Sequence, residues 1–479
     1  MNYLTLLKFA LPEAVVTATA LGVLGVQSSR PRRQGLCELL AIIGLLLAAG
    51  VVLTLPAHAD LFRGMLVASP LNALFKIICL VFALCTVVYT RGERLVHHAE
   101  YIALLLFATI GLMLMVSSQE LLMIFIGLEL TSLPLYVMTA FNKTDRRSAE
   151  AGLKYFLFGS TATAFVLFGL SLVYGTCGTT VLDAIGQKVA TQAVTPLLGV
   201  GVVMIITGLA FKIAAAPFHF WAPDAYEGSP APTGAFIASG SKVAAFLLLG
   251  RILLVAFGSL QGSATWHGFV AGWSPLLALV AALSIVVGSI TALAQRNLRR
   301  LLGYSAVAHA GYTLLGLIVP GSQGFAATLF YTTIYGFTLV GAFGVVGLVR
   351  QQTGGDAISD FAGLRFRSPL LAVCMAIFLV SLAGLPPLAG FFGKFYLFAM
   401  VMRDQGMVWL VAIGLGGSLV SLYYYLVVVR TMFVDSPPSE AATIETGWTE
   451  SLLLSLLGAV VLLLGLVPSL LLSRIEASL

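Results

Sequence analysis

Charged side chains are scarce in this chain of 479 residues. Asp, Glu, Lys and Arg make up 10% of it, whereas 59% of the residues are hydrophobic. Soluble globular domains carry about 25% charged and at most about 50% apolar residues. Together with a mean hydropathy of +1.01, this composition excludes a soluble globular enzyme and a disordered chain, and it predicts an all-α polytopic membrane protein.

Cysteine pairs are also missing. The five cysteines contain no C-x-x-C pair and are odd in number, which argues against a disulfide framework and against an iron–sulfur or zinc ligand set. We therefore expect no metal site and no cofactor site. The net charge of +6 comes from basic residues in short loops rather than from one basic face, so we expect no nucleic-acid partner. The cysteines are Cys37, Cys79, Cys85, Cys177 and Cys374.

Long uncharged runs predict the membrane spans. The run between Arg300 and Arg350 is long enough for two spans of about 20 residues each. From apolar windows and turn residues we predict about fourteen spans, numbered one to fourteen along the chain. They cover residues 3–27, 36–55, 71–90, 98–117, 119–139, 149–174, 195–222, 231–257, 268–294, 299–320, 323–349, 369–400, 406–433 and 449–472.

Basic residues in the loops predict the orientation. Loops that follow odd-numbered spans carry fourteen Lys or Arg residues, and loops that follow even-numbered spans carry three. Because cytoplasmic loops carry the excess of basic residues, the odd-numbered loops are predicted to be cytoplasmic and both termini to lie outside. The fourteen are Arg30, Arg32, Arg33, Arg91, Arg94, Lys143, Arg146, Arg147, Arg296, Arg299, Arg300, Arg350, Arg365 and Arg367; the three are Arg63, Lys188 and Arg403.

Charges inside the spans are the first functional candidates, since a charge at the bilayer centre costs about 2.5–3.5 kcal/mol on the insertion scale. Glu129 and Lys154 lie on spans five and six. At 1.5 Å per residue they lie roughly 14 Å and 9 Å from the cytoplasmic ends, so we predict that they pair directly or through one water. A static ion pair between neighbouring helices is the alternative to a role in transport.

Lys212 stands beside a predicted break in span seven. Pro217 has no N–H and leaves the carbonyl of Ile213 without its helical partner. Freed carbonyls at membrane depth are tolerated where they meet water or protein, so we predict a hydrated lysine that can change its protonation. The alternative is a lysine that snorkels from the end of a short helix.

Lys242 is the most deeply placed of these cations. It lies about eleven residues into span eight, beside Gly240 and other small residues. Its stem is too short to reach an interface from that depth. We therefore predict a function for it.

Lys394 follows a second predicted break, at Gly384, Pro386 and Pro387 in span twelve. Spans seven and twelve are five spans apart, and an odd offset reverses the direction through the membrane. Broken helices in this relation are typical of inverted-topology repeats. Within a single membrane domain, 1–479, we predict N-terminal helices at 1–97, two inverted five-helix repeats at 98–257 and 268–433, and a C-terminal helix at 449–472.

Two histidines complete the candidate set. His309 on span ten fits a proton relay or a hydrogen-bonded core residue equally well. His219, just after Pro217, is a candidate relay at the cytoplasmic entrance. The run Tyr423, Tyr424 and Tyr425 fits an aromatic belt or a packing surface, and the sequence does not distinguish the two.

These segments resemble the antiporter-like subunits of bacterial respiratory complex I (NADH:quinone oxidoreductase). The resemblance covers nearly the whole chain. It is densest in FKIAAAPFHFWAPDAYEGSPAPTGAFIASGSK at 211–242, NLRRLLGYSAVAHAGY at 297–312 and LAGLPPLAGFFGKFY at 382–396. Within the family, SLYYYLVVVRTMF at 421–433 resembles the branch called subunit N, and Lys394 is not the glutamate found at this position in the sister branch M.

The resemblance implies a fold of fourteen helices with two inverted five-helix repeats and discontinuous helices seven and twelve. It also implies a proton-translocating subunit without a redox centre of its own, in the bacterial inner membrane with periplasmic termini. NADH, FMN, iron–sulfur clusters and quinone would belong to partner subunits. The partners would be sister antiporter-like subunits, small membrane subunits and a peripheral arm. The family's proton-path residues correspond to Glu129, Lys154, Lys212, Lys242 and Lys394.

Other functions compete with this one. A subunit of a multi-subunit sodium/proton antiporter, or of a membrane-bound hydrogenase complex, would share the lysines and the broken helices. A self-contained redox enzyme is disfavoured because no G-x-G-x-x-G motif opens a strand–helix unit. A purely structural scaffold leaves the buried lysines unexplained.

Overall fold

The computed structural model describes residues 8–29, 34–93, 95–403, 405–437 and 443–479. Within these ranges it is mostly helical, and twelve helices are long and apolar enough to cross a membrane. The start of span one at 3–7 and the loop residues Arg30, Arg32, Arg33 and Arg94 lie outside them. The twelve helices are Leu11–Ser28, Gln34–Leu53, Pro70–Gly92, His98–Ser117, Leu121–Thr139, Arg146–Cys177, Ala231–Ala256, Trp273–Leu293, Leu298–Ile318, Ser322–Thr353, Val408–Phe433 and Trp448–Leu466.

Spans seven and twelve are interrupted, as predicted. Span seven consists of the helix Pro196–Lys212, a non-helical turn and the short helix Trp221–Gly228. Span twelve consists of the helices Pro369–Ala383 and Ala389–Met402. The structure thus supports an all-α polytopic membrane protein with two broken helices, while the count of fourteen crossings and the inverted repeats stay predictions.

Helices in the middle of the molecule are buried on all sides. Almost all residues of spans eight, ten and eleven are buried, whereas most residues of spans six, thirteen and fourteen are at least partly accessible. The accessible positions on span six include Leu157, Phe158 and Phe168. A helix that is apolar all round fits a membrane environment. Lys242 on span eight and His309 on span ten are buried and therefore meet other parts of the protein.

Several local elements were not predicted. A hairpin of the strands Ala59–Leu61 and Leu66–Ala68, paired antiparallel, joins spans two and three. The helix Leu182–Thr191 follows span six. The predicted span fourteen is two helices, Trp448–Leu466 and Ser469–Glu476, which part at Pro468. These elements are short and lie between long apolar helices, so a search for long apolar runs did not reveal them.

Acidic and basic residues near the ends of the first spans are buried in ion pairs. Lys76 lies 2.6 Å from Glu13, and both side chains are almost inaccessible. Glu38 accepts a hydrogen bond from Arg91 at 2.6 Å and lies 3.4 Å from His98. Their places near span ends would suit an interface with water, but the packing of the helices buries Glu13, Glu38 and Lys76 instead.

Candidate functional site

Lys212 lies in a small, mostly apolar pocket between spans five, six and seven that contains a few polar side chains. Its Nζ donates a hydrogen bond to the Ser132 hydroxyl at 2.8 Å. The Glu129 carboxylate, one turn before Ser132, accepts a hydrogen bond from Thr163 at 2.7 Å. Glu129, Ser132, Thr163 and Lys212 line a cavity of about 20 Å³, which has room for about one water molecule. A single water could therefore connect the carboxylate with the amine.

The turn after Lys212 has the irregular backbone that the sequence predicts. The helix ends at Lys212, and Ala214 takes a left-handed φ of 59°. The amide of Ala216 donates to the Ser284 hydroxyl at 2.8 Å, and the indole of Trp221 donates to the Phe211 carbonyl at 3.0 Å. Side chains thus replace helical hydrogen bonds around the interruption and hold it beside Lys212.

Lys242 is buried at the centre of the molecule. It follows a π-helical turn, Ile237–Ser241, and its Nζ donates to the carbonyl of Ala306 on span ten at 2.8 Å. The amine also lies 5.3 Å from the centroid of the Tyr335 ring. Such π-turns are frequent at functional sites.

His309 lies in a group of tyrosines between Lys242 and Lys394. Its Nδ1 shares a hydrogen bond with the Tyr331 hydroxyl at 2.7 Å, and its Nε2 shares one with the Tyr425 hydroxyl at 3.3 Å. Its ring centroid lies 5.0 Å from that of Tyr335 and 5.6 Å from that of Tyr312. Tyr335 faces Lys242, and Tyr312 faces Lys394 with its centroid 4.9 Å from the amine. His309 is therefore the polar group between the two lysines.

The Lys394 amine hydrogen-bonds to a backbone carbonyl that the break in span twelve leaves without a helical partner. Pro387 lacks an N–H, so the carbonyl of Ala383 has no helical donor. The Lys394 amine donates to this carbonyl at 3.1 Å and to the Ser418 hydroxyl on span thirteen at 2.9 Å. The broken helix thus supplies a hydrogen-bond acceptor for a buried cation.

These three amines share one electrostatic property. Within the described part of the chain, neither Lys212, Lys242 nor Lys394 has a carboxylate within 4.0 Å. A buried charge without a partner is costly. The charge of each amine is met in the structure by hydroxyl and carbonyl oxygens.

Lys154 does not pair with Glu129, and this prediction was wrong. Its amine contacts Glu150 at 2.7 Å and Asp224 at 2.8 Å. Glu129 instead meets Thr163, which is nine residues further along span six and therefore about 14 Å deeper. Depth estimated from separate span ends could not resolve this offset, and the competing acid, Asp224, lies on a short helix that the sequence did not predict.

Asp224 also binds a second cation. Arg300 at the start of span ten donates to it at 2.5 Å and to Glu227 at 3.0 Å. The Asp224 carboxylate is thus shared between two basic side chains, Lys154 and Arg300.

His219 is buried in the turn of span seven. Its ring centroid lies 4.5 Å from that of Phe220, which is itself exposed, and 6.4 Å from that of Tyr304. The structure thus places His219 apart from His309 and near the end of the molecule that carries Arg300.

Comparisons with known proteins place this geometry in a family. A family model described as NADH:quinone oxidoreductase/Mrp antiporter, TM, matches residues 118–421. The protein named NADH-quinone oxidoreductase subunit N 2 of Acidobacterium capsulatum is 43% identical over 98% of both chains. The protein named NADH-quinone oxidoreductase subunit N of Rhodospirillum rubrum is 38% identical over 98% of this chain and 96% of that protein. The chain belongs to this antiporter-like family.

Solved structures agree with the assignment. A chain of respiratory complex I from Thermus thermophilus is 33% identical, with a TM-score of 0.81 over 96% of this chain and 98% of that chain. A chain of the Mrp complex from Dietzia is 21% identical with a TM-score of 0.85, over 98% of this chain and 97% of that chain. The antiporter-like fold is thus common to both kinds of complex, and the resemblance inferred from the sequence is confirmed.

One further buried cation inside a predicted span, Arg251, was not singled out from the sequence. Arg251, nine residues after Lys242, donates to the carbonyls of Val116 at 2.7 Å and Ser118 at 3.1 Å, and to Asn72 at 2.5 Å. Its position within span eight was a signal that the sequence offered. Within the described residues, no group of three or more His, Cys, Asp or Glu side chains is placed to hold a metal ion.

Proposed function

We propose that this chain is the proton-translocating membrane subunit, of the subunit N type, of an NADH:quinone oxidoreductase. The observation that carries the proposal is the set of three buried amines without carboxylate partners, two of which lie on either side of the His309 cluster and face its tyrosine rings. The relatives above are named as subunits of such a complex. Redox energy released elsewhere in the complex would drive protons past these amines.

Each candidate residue has a role in this proposal. Glu129 receives the proton next to the cavity, and Lys212 takes it up and passes it to Lys242. His309 relays it from Lys242 towards Lys394, which releases it. His219 is a candidate relay at the entrance, and Lys154 acts at the cytoplasmic end through Asp224 rather than as the partner of Glu129.

The surroundings follow from the same proposal. The chain crosses the bacterial inner membrane many times, with both termini on the periplasmic side as the loop charges predict. NADH, FMN, the iron–sulfur clusters and quinone would be bound by partner subunits, among them a peripheral arm, sister antiporter-like subunits and small membrane subunits. Residues 98–257 and 268–433 would be the two inverted repeats, each with one broken span and one buried lysine at the break.

A sodium/proton antiporter subunit, or a subunit of a hydrogenase complex, is a weaker candidate. The Mrp complex shares the fold, but at 21% identity this likeness speaks only to the fold. The relatives near 40% identity are named after quinone-reducing complexes. No contact among the described residues favours sodium.

The test is Lys212→Met in the assembled complex. NADH-driven proton uptake by sealed membrane vesicles should fall by about tenfold or more, while electron transfer from NADH to a soluble artificial acceptor continues because it bypasses the membrane subunits. Lys143→Met, in an exposed loop, is the matched control and should leave pumping unchanged. Normal pumping by the Lys212→Met complex would remove the proposal.

A further inference from the structure

One carboxylate joins the two predicted repeats on the side of the odd-numbered loops. Oδ2 of Asp224 accepts from Lys154 on span six, and Oδ1 accepts from Arg300 on span ten, at 2.8 and 2.5 Å. Asp224 itself belongs to the short helix Trp221–Gly228, directly after the turn of span seven. Three elements that are distant in sequence thus meet at a single side chain.

The same short helix is tied to Lys212. Trp221, three residues before Asp224, donates its indole N–H to the carbonyl of Phe211, the residue before Lys212. The indole also stacks on Tyr155, the neighbour of Lys154, with the ring planes 7° from parallel and the centroids 4.2 Å apart. A shift of the short helix would therefore be transmitted to the backbone that carries the Lys212 amine.

The ionic cluster is open to water. Asp224, Lys154 and Arg300 meet Arg147, Glu150 and Glu227, so three basic and three acidic residues balance one another. Arg147, Glu150, Asp224, Glu227 and Arg300 line a cavity of about 200 Å³. Ion pairs that water reaches contribute little to stability. The value of the Asp224 bridge therefore lies in what it positions.

We propose that Asp224 is a positioning residue that sets the Lys212 amine against Ser132 by holding the short helix between Lys154 and Arg300. A change in either contact would move the interrupted segment of span seven and alter the surroundings of Lys212. The bridge would thereby couple the second repeat, through Arg300, to proton uptake in the first. This inference rests on the proposed function, because it assumes that Lys212 carries protons.

Two variants of neighbouring acids test the bridge. Asp224→Asn removes the charge that joins Lys154 to Arg300. Glu150→Gln also removes a carboxylate charge that contacts Lys154. The contact that it breaks lies within span six, however, and the Glu150 side chain is 59% exposed. We expect Asp224→Asn to lower NADH-driven proton pumping by the assembled complex roughly two- to tenfold, and Glu150→Gln to leave it unchanged. Asp224→Glu, which keeps the charge, should restore at least part of the pumping.

A double variant separates positioning from a loss of structure. If Asp224 acts through Lys154, the combination Lys154→Met with Asp224→Asn should pump no worse than the single variant with the lower pumping rate, because each single change already removes the Lys154–Asp224 contact. Equal pumping by Asp224→Asn and the unmodified complex would overturn the proposal, and so would equal losses in Asp224→Asn and Glu150→Gln. A lower yield of the Asp224→Asn complex with unchanged pumping per assembled complex would also overturn it. If Lys212→Met pumps poorly while Asp224→Asn pumps normally, only the positioning role fails.

Discussion

Lys212, Lys242 and Lys394 differ from two other buried cations, Lys76 and Arg299, in what surrounds the charge. Lys76 and Arg299 each contact a carboxylate, Glu13 and Asp356, whereas the three lysines meet only hydroxyl and carbonyl oxygens. The sequence predicted the depth of these lysines because cations are rare in apolar spans. It could not predict the oxygens that receive them. Ser132 could have been predicted, because it lies three residues after Glu129 on the same helical face. Ser418 and Ala306 could not, because they are distant in sequence from the lysines that they contact.

The hydroxyl of Tyr425 provides a residue-scale prediction. It contacts both His309 and Ser305 and is buried, whereas its neighbour Tyr423 is 66% exposed. Tyr425→Phe leaves a ring nitrogen of His309 without this contact, and an unpaired buried polar group costs about 1–3 kcal/mol. We expect NADH-driven pumping to fall by roughly threefold to tenfold, measured as the initial rate of proton uptake. Tyr423→Phe is the control, and equal rates in the two variants would contradict a relay through His309.

At the scale of elements, proline and glycine predicted both interruptions. Pro217 and the run from Gly384 to Pro387 lie where spans seven and twelve break. The hairpin at 59–68, the helix Leu182–Thr191 and the π-helical turn before Lys242 were not predicted. The first two are short, and a π-turn depends on packing between helices, which a single sequence does not reveal.

Gly384 provides a prediction at this scale. It has a φ of 83°, and a Cβ there would lie 2.9 Å from Cδ of Lys394. Gly384→Ala should strain the turn and push the lysine away from Ser418, because a left-handed backbone costs a non-glycine residue about 1–2 kcal/mol. We expect slower pumping and a lower midpoint of thermal unfolding in detergent. Gly416→Ala on span thirteen is the control, because a Cβ there meets nothing within 4 Å, and it should change neither the pumping rate nor the midpoint. An equal loss in both variants would contradict a specific role for the contact between Gly384 and Lys394.

For the whole molecule, the sequence predicted the membrane class, the broken spans and the family. It failed where two distant segments meet, since neither the depth nor the direction of a side chain can be read from spacing alone. The clearest failure is the Glu129–Lys154 pair, whose members bind Thr163 and Asp224 instead. Lys242, which the sequence places deep within span eight, is buried, and its amine contacts the Ala306 carbonyl and faces the Tyr335 ring.

The most direct test of the account is the number of protons pumped per NADH oxidised by the assembled complex with Lys242→Met, reconstituted in sealed vesicles. The account predicts that this ratio or the coupled turnover falls by about tenfold or more, while Lys143→Met behaves like the unmodified complex and electron transfer to an artificial acceptor persists in both. An unchanged ratio at normal turnover in the Lys242→Met complex would contradict a proton path through the buried lysines.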